Sequence, residues 1–356
     1  MQMTEEAGAA VADAPMHAIT LLPSGKTFSS TAGESVLDAA LRQGILLPHQ
    51  CKTGTCGACR ARVVHGEAVC LPDAQPAALS PEEAGQGMHL LCCTQAASPL
   101  HIECTEIPHI PGIAVRKLPV RVVAMERLAH DVMRVQLQPP AGQRLHYAAG
   151  QYVDVLLPGK RRRSYSLATL AREGQELLEL HIRHLPGGLF TDQVFCKLKA
   201  RDVLRIEGPF GTFGMHDGAS QAPAILLASG TGFAPVKALV EQLLATGSER
   251  RVHLYWGGRA RADLYLHSLC LEWEQALQGR LSYVPVLSDA PAADAWAGRT
   301  GWVHQAVLQD HADLSQHEVY ACGAPAMVDA ARRDFAAQAG MRPMAFFADA
   351  FVAQPG

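Results

Sequence analysis

Three cysteines within nine residues, Cys51-Lys-Thr-Gly-Thr-Cys56-Gly-Ala-Cys59, constrain this chain more than any other stretch of it. A C-x4-C-x2-C run completed by a distant fourth cysteine is a spacing that wraps a [2Fe–2S] centre. Four thiolates must converge on two irons, so three come from one tight loop and the fourth from elsewhere. Gly54 and Gly57 let the backbone curl close to the sulfides, where a Cβ would obstruct it. The freed backbone N–H groups can donate to sulfur and tune the potential. The fourth ligand is open between Cys92 and Cys93, which are adjacent. A zinc site or free buried thiols are the alternatives, but zinc usually takes paired C-x2-C knuckles and only one is present.

At 356 residues the chain suits two or three domains, and 48% hydrophobic content lets each bury a core. A net charge of −3 gives no reason to expect nucleic acid or a membrane surface as partner. The ten cysteines read as reduced cytosolic thiols, so a cytoplasmic protein is expected. The N-terminus has neither a basic region nor a long apolar run, and no stretch is apolar enough to span a bilayer. The sixteen histidines show no metal spacing and read as ordinary surface and strand residues.

Residues 1–16 read as a disordered tail. A β-rich unit follows over 17–107, with a hairpin signal at Pro23-Ser24-Gly25 and one amphipathic helix opening at Glu34-Ser35. Cys70 and Cys104 have no place in the ligand pattern and read as small apolar fillers. A stiff linker, 108–115, contains Pro108-His-Ile-Pro111-Gly112. Over 116–220, period-two alternation recurs at 121–125, 132–137, 152–157, 178–183 and 203–207, which predicts a closed antiparallel barrel. From 221 to 356 strands alternate with helices, which predicts a parallel sheet covered on both faces.

The barrel carries Arg163-Ser164-Tyr165-Ser166. On a strand Arg163 and Tyr165 share one face and the serines the other. A guanidinium can neutralise a pyrophosphate, a phenol can cover a ring, and a hydroxyl can reach a ring nitrogen. The second element is His181-Ile-Arg183-His-Leu-Pro-Gly187-Gly188-Leu-Phe-Thr191, whose Gly-Gly turn ahead of a helix offers N–H groups and a hydroxyl to a phosphate. The basic run Lys160-Arg-Arg162 reads as a solvated turn. In the last unit, Gly230-Thr231-Gly232 stands at a helix start, Gly257-Gly258-Arg259 ends a strand, and Cys322-Gly323 ends another. Ligands on such sheets bind beyond the carboxyl ends of the strands.

Taken together these motifs resemble the bacterial ferredoxin-fused NAD(P)H reductases of the ferredoxin–NADP reductase superfamily, over about residues 17 to 351. The resemblance implies a β-grasp [2Fe–2S] ferredoxin (α+β), an antiparallel β-barrel flavin domain and an α/β parallel-sheet nucleotide domain. Laid without gaps on the family's Gly-x-x-Leu-x-Cys pattern, Gly87 makes Cys92 the fourth ligand beside Cys51, Cys56 and Cys59. The family assigns Arg163 to flavin phosphates, Tyr165 to packing on the flavin, and Ser166 to the neighbourhood of ring N5. His181, Arg183, Gly187, Gly188 and Thr191 follow as FAD-binding, with FMN still open. Gly230, Thr231, Gly232, Gly257, Arg259 and Gly323 follow as nucleotide-binding. Cys322 is expected beside the nicotinamide, sharing the catalytic role with Ser166, and Asp349 and Phe351 are expected as neighbours of flavin or nicotinamide. NADH is favoured as donor, NADPH remaining possible through Arg259 and Arg261. The implied partner is a terminal oxygenase or an iron–sulfur dehydrase, and the implied state a monomer. A free-flavin reductase and a redox sensor without turnover are the other readings.

Overall fold

The computed structural model describes residues 16–107, 113–171, 176–215 and 220–352. The expected tail up to residue 15, the linker core 108–112 and the Lys160 side chain lie outside the described residues.

The first unit contains β1 (His17–Leu22), β2 (Thr27–Ser30), α1 (Val36–Arg42), β3 (Arg60–His65), β4 (Ala68–Cys70), α2 (Pro81–Gly85), β5 (Met88–Leu90), β6 (Thr94–Ala96) and β7 (Leu100–Glu103). Five strands form one sheet in the order β2-β1-β7-β3-β5, with β1 and β7 parallel at its centre. Ser35 starts α1 by accepting a hydrogen bond from Asp38 N at 3.0 Å. The helix then lays Val36, Leu37, Ala39 and Ala40 on the sheet, a β-grasp arrangement. Cys104 is buried as expected, but Cys70 is exposed, because β4 pairs only with β6 in a two-stranded ribbon outside the main sheet.

The second unit contains β8 (Arg116–Ala129), β9 (Val132–Gln138), β10 (Tyr152–Leu156), β11 (Arg162–Ser166), β12 (Leu178–Arg183), α3 (Thr191–Cys196) and β13 (Val203–Phe210). The sheet runs β11-β10-β13-β8-β9-β12, and a bridge between Leu167 and Leu180 brings its two ends together as a barrel. Alternate residues such as Val120, Val122, Val153, Val155, Leu180 and Ile182 fill its interior. The outer face of β12 departs from the expected pattern. Glu179 and His181 are buried, since the third unit packs over them.

The third unit contains β14 (Ala224–Ser229), α4 (Phe233–Thr246), β15 (Val252–Gly258), α5 (His267–Ala276), β16 (Leu281–Leu287), β17 (Arg299–Thr300), α6 (Val303–Asp310), β18 (Glu318–Gly323), α7 (Pro325–Ala339) and β19 (Phe346–Ala350). All six strands are parallel, in the order β17-β16-β15-β14-β18-β19. Central β14 is buried on both faces: Ala224, Leu226 and Ala228 meet α4, and Ile225 and Leu227 meet the α6–α7 side. A both-sides-covered strand explains its uninterrupted apolar run.

Candidate functional site

The strand order of the third unit reverses between β14 and β18, so the loops there diverge and leave a crevice. A cavity of ≈ 430 Å³ opens at this point. Its floor is backbone: Gly230 and Thr231 after β14, Gly257 and Gly258 at the end of β15, and Gly323 at the end of β18. A Cβ on Gly232 would run into the Cys322 carbonyl, so the two loops close up only with glycine there. Ser229 Oγ accepts from Ala324 N at 2.9 Å and ties the same loops together.

Arg183 of the barrel lines the cavity, with Asp131 3.3 Å and Asp263 3.5 Å away. Arg259 lines it too, and pairs with Asp263 at 3.1 Å. Burial works against the Asp263 charge, but hydrogen bonds from Arg259 and the charge of Arg183 hold its carboxyl below the usual range. Arg261 does not line the cavity; its backbone N–H donates to Asp294 at 3.0 Å. Phe351 closes one side, its N–H donating to Gly323 O at 2.8 Å. Trp302 stands at the rim, 62% exposed.

On β11, Arg163 and Tyr165 are half-buried on one face, and the Tyr165 ring lies 5.6 Å from Phe190. Ser164 faces outward and donates to Asp154 at 2.7 Å. Arg161 and Arg162 are exposed as the solvated-turn reading expects, with Arg162 paired to Glu207. Ser166 shares Ser164's parity yet is buried, because β19 covers the end of β11. Its hydroxyl donates to Asp349 Oδ2 at 3.4 Å. Cys322 is the strand partner of Asp349 and is fully buried. Burial pushes the Asp349 carboxyl up to about 7, against the opposing pull of Gln50, Ser166 and Cys322. Burial also pushes the Cys322 thiol well up.

Three expected cofactor residues have partners within the fold. The Thr191 hydroxyl is locked inside the Gly-Gly turn: it donates to Leu185 O at 2.9 Å and accepts from Leu185 N at 3.2 Å. Gly187 N likewise donates to Asp192 at 3.1 Å, and a Cβ on Gly188 would meet Thr191. His181 lies in the seam between barrel and third unit, with Tyr265 OH and Glu179 Oε1 each 3.0 Å away. That seam also holds Lys237 of α4, 3.2 Å from Glu179, 2.7 Å from Glu241 and donating to Ala168 O at 2.9 Å. The histidines are thus not uniformly superficial; His49, His181 and His304 are buried.

The cysteine loop sits where all three units meet. Cys51 N donates to Cys56 Sγ at 3.4 Å, and Cys59 Sγ lies 3.3 Å from Cys92 Sγ. The Cys51 and Cys56 side chains also interact, so the thiols stand as two pairs, an arrangement that fits two bridged irons with two thiolates each. Cys93 Sγ is 3.7 Å from Cys92 Sγ and lies against Gly54, where a Cβ would stand 2.6 Å from it. Among the described residues no three His, Cys, Asp or Glu side chains gather as a single-ion site. The Cys56 hydrogen bond holds the Cys51 thiol well below its ordinary value, the Cys59 hydrogen bond lowers Cys92, and burial pushes Cys93 up.

The loop is fixed to the barrel through the residues just before it. His49 N donates to Thr212 Oγ1 at 2.8 Å, and Tyr152 OH donates to Gln50 O at 2.8 Å. The Gln50 side chain fills the space a Cβ on Gly211 would need and is sealed from solvent beside Asp349. Cys56 packs into the core built by β18, β19 and α7. Gln50, Ser229, Asp263 and Trp302 were not legible as site residues. Ser229 alone carried a signal, standing directly before the Gly230 loop.

Comparison with known proteins gives this geometry a family. Residues 19–97 match the 2Fe-2S iron-sulfur cluster binding domain, 119–215 the oxidoreductase FAD-binding domain, and 226–333 the oxidoreductase NAD-binding domain. The chain is 40% identical over 334 residues to the CDP-6-deoxy-L-threo-D-glycero-4-hexulose-3-dehydrase reductase of Yersinia pestis, covering 94% of this chain and 98% of that one. It is 33% identical to the terephthalate 1,2-dioxygenase reductase component 1 of Comamonas sp, covering 95% and 98%. Among solved structures, an Amycolatopsis cytochrome P450 reductase, GcoB, superposes with a TM-score of 0.70 at 33% identity, covering 94% and 98%. The chain belongs to the ferredoxin-fused NAD(P)H reductases of the ferredoxin–NADP reductase superfamily, iron–sulfur flavoprotein oxidoreductases that use a [2Fe–2S] cluster, FAD and NAD(P)H.

Proposed function

We propose that the protein takes electrons from NADH through FAD to the [2Fe–2S] cluster and delivers them to a partner, an iron–sulfur dehydrase or a terminal oxygenase. One observation carries this reading. Gln50, next to Cys51, lies beside the buried Ser166–Asp349–Cys322 group, so cluster loop, barrel and nucleotide unit share one point. Identity is higher to the dehydrase reductase than to the oxygenase components, which favours a dehydrase as the first partner to test. The reading places the protein in the cytoplasm as a monomer, its ten cysteines free of disulfides.

Bound FAD supplies the conversion of one hydride into two single-electron transfers. The chain's part is placement. Arg163 would hold the flavin phosphates, Tyr165 would cover the ring, and Ser166 would offer its hydroxyl to a ring nitrogen. Cys51 and Cys56 would hold one iron, and Cys59 and Cys92 the other. The cavity floor at Gly230, Gly257 and Gly323 would cradle the nucleotide, with Phe351 beside the nicotinamide end. Asp349 accepts from the Ser166 hydroxyl and so holds it in place beside the ring.

NADH is supported over NADPH by what the basic residues do. Arg259 is paired with Asp263, and Arg261 stands off the cavity. Asp289 follows cavity-lining Ser288 at the carboxyl end of β16, where a carboxylate suits ribose hydroxyls and repels a 2′-phosphate.

The test is Cys56→Ser in the holoprotein. Reduction of cytochrome c should fall by more than the roughly ten- to hundredfold that loss of a supporting partner costs. NADH–ferricyanide activity should persist. Retention of both activities would sink the proposed route, and a wild type that oxidises NADH with neither acceptor would indicate a sensor.

A further inference from the structure

Two guanidinium groups with no role in the scheme above meet at the cluster loop, one from each side of a domain junction. Arg60 follows Cys59 directly and folds back into the space that a side chain on Gly57 would fill. It lies 3.3 Å from Glu83 of its own unit and 3.8 Å from Asp329 of α7, with only 9% of its side chain exposed. Arg332, almost a full turn further along α7, lies 4.6 Å above the Phe346 ring and has Arg60, Asp329, Glu83 and Cys56 around it. Nε and Nη1 of Arg60 and Nε of Arg332 are sealed from water and donate no hydrogen bond.

Like charges held together away from water repel, and a buried charge demands a counter-charge. The two carboxylates at hand are weak candidates for the whole task, because Asp329 is 54% and Glu83 32% exposed to screening solvent. The remaining neighbour is Cys56, packed against the third unit. If it is a cluster ligand, as the reading above holds, the missing counter-charge is the thiolate-bound cluster.

We infer that Arg60 and Arg332 form a cationic clamp that raises the reduction potential of the cluster and grips the first unit more tightly once the electron has arrived. The step balances simply. One electron leaves the flavin that NADH has reduced and enters the cluster; no bond forms or breaks, and no proton is taken up. The cluster gains one negative charge, and its attraction to both guanidiniums rises. Charge and hydrogen bonding around the sulfurs set such potentials.

The experiment is an EPR-monitored redox titration of the holoprotein as wild type, Arg332→Met and Asp329→Asn. Arg332→Met should move the cluster midpoint negative, so that the share of cluster reduced in equilibrium with the flavin falls about tenfold, a 59 mV shift for one electron. Asp329→Asn removes a negative charge from the same place and should move the midpoint the other way. NADH–ferricyanide activity should stay at the wild-type level in both. Arg332→Lys keeps the charge and should keep the wild-type midpoint, which covers the case in which Arg332→Met fails to load a cluster. Midpoints that stay put, or that move in the same direction in Arg332→Met and Asp329→Asn, overturn the clamp. A wild type without a [2Fe–2S] signal overturns the ligand assignment instead.

Discussion

The nucleotide cavity and the seam around the cysteine loop lie on the same sheet, yet they are built in different ways. The cavity is open, and its floor is main chain from a single unit: Gly230, Gly257 and Gly323 at three strand ends. The seam is closed, and its parts come from all three units. Gln50, Ser166, Cys322 and Asp349 are far apart in sequence, and each is nearly or wholly out of solvent. An open backbone floor tolerates changes at its rim. A closed group of polar side chains does not, because each buried group depends on its neighbours for its hydrogen bonds.

The sharpest way to break this contrast is at Lys237. Its side chain is 8% exposed and joins Glu179, Glu241 and the Ala168 carbonyl where the third unit closes on the barrel. Lys237→Met leaves Glu179 buried without its cation and should lower stability by about 3 kcal/mol, read as a lower denaturation midpoint of the holoprotein. Glu179 adds a pH signature. Burial opposes its charge, but the His181 hydrogen bond and the Lys237 charge hold its carboxyl at about 2 against 4.5. A depressed carboxyl stabilises above its unfolded value, so that contribution should fade as pH drops from about 4.5 to 2.

Gly232 tests the border between the two regions. Gly232→Val drives a side chain into the Cys322 carbonyl and should cost about 1–3 kcal/mol, with KM for NADH rising more than kcat falls. An unchanged KM would separate the cavity from the loop that this glycine shapes. One residue beyond cavity-lining Ser288 the expected effect is smaller. Asp289→Arg should raise kcat/KM for NADPH relative to NADH by about tenfold, the equivalent of about 1.4 kcal/mol, with stability unchanged.

The smallest effect is expected at the opposite end of the sheet. His253, His311 and His317 meet there edge to face at ring distances of 4.8 and 5.2 Å. Burial, then the neighbouring His253 and His317, pushes His311 down to about 4, and burial lowers the other two. Their folded values lie below the unfolded 6.5, so the unfolded chain binds protons first. Stability should fall as pH drops from about 6.5 toward 4, and His311→Gln should flatten that slope without touching KM.

Much of this architecture is legible in the residues. The cysteine spacing marks the cluster loop, period-two stretches mark the barrel, and the Gly230-Thr-Gly232 turn marks the nucleotide unit. Those signals work because they are local: a ligand run, a strand face and a tight turn each span a few residues. What the residues did not announce has the opposite cause. Thr191 has the right neighbours for a phosphate, but Leu185 takes its hydroxyl. His181 has the parity of an outward strand residue, but α4 and Tyr265 cover that face. Cys70 looks like a core filler, but its ribbon stands outside the sheet.

The sequence by itself determined three units, their order, the kinds of chemistry each supports and three of the four paired thiols. Between Cys92 and Cys93 the residues alone offered only a pattern; in the fold Cys92 is the one that stands 3.3 Å from Cys59. Only the tertiary structure decided that Gln50 meets Asp349, that Arg60 meets Arg332, and that Cys56 packs into the nucleotide unit. The physical reason is range. Backbone sterics and side-chain periodicity act within a turn or a strand, whereas these meetings exist only once three separately folded cores have docked and excluded water between them.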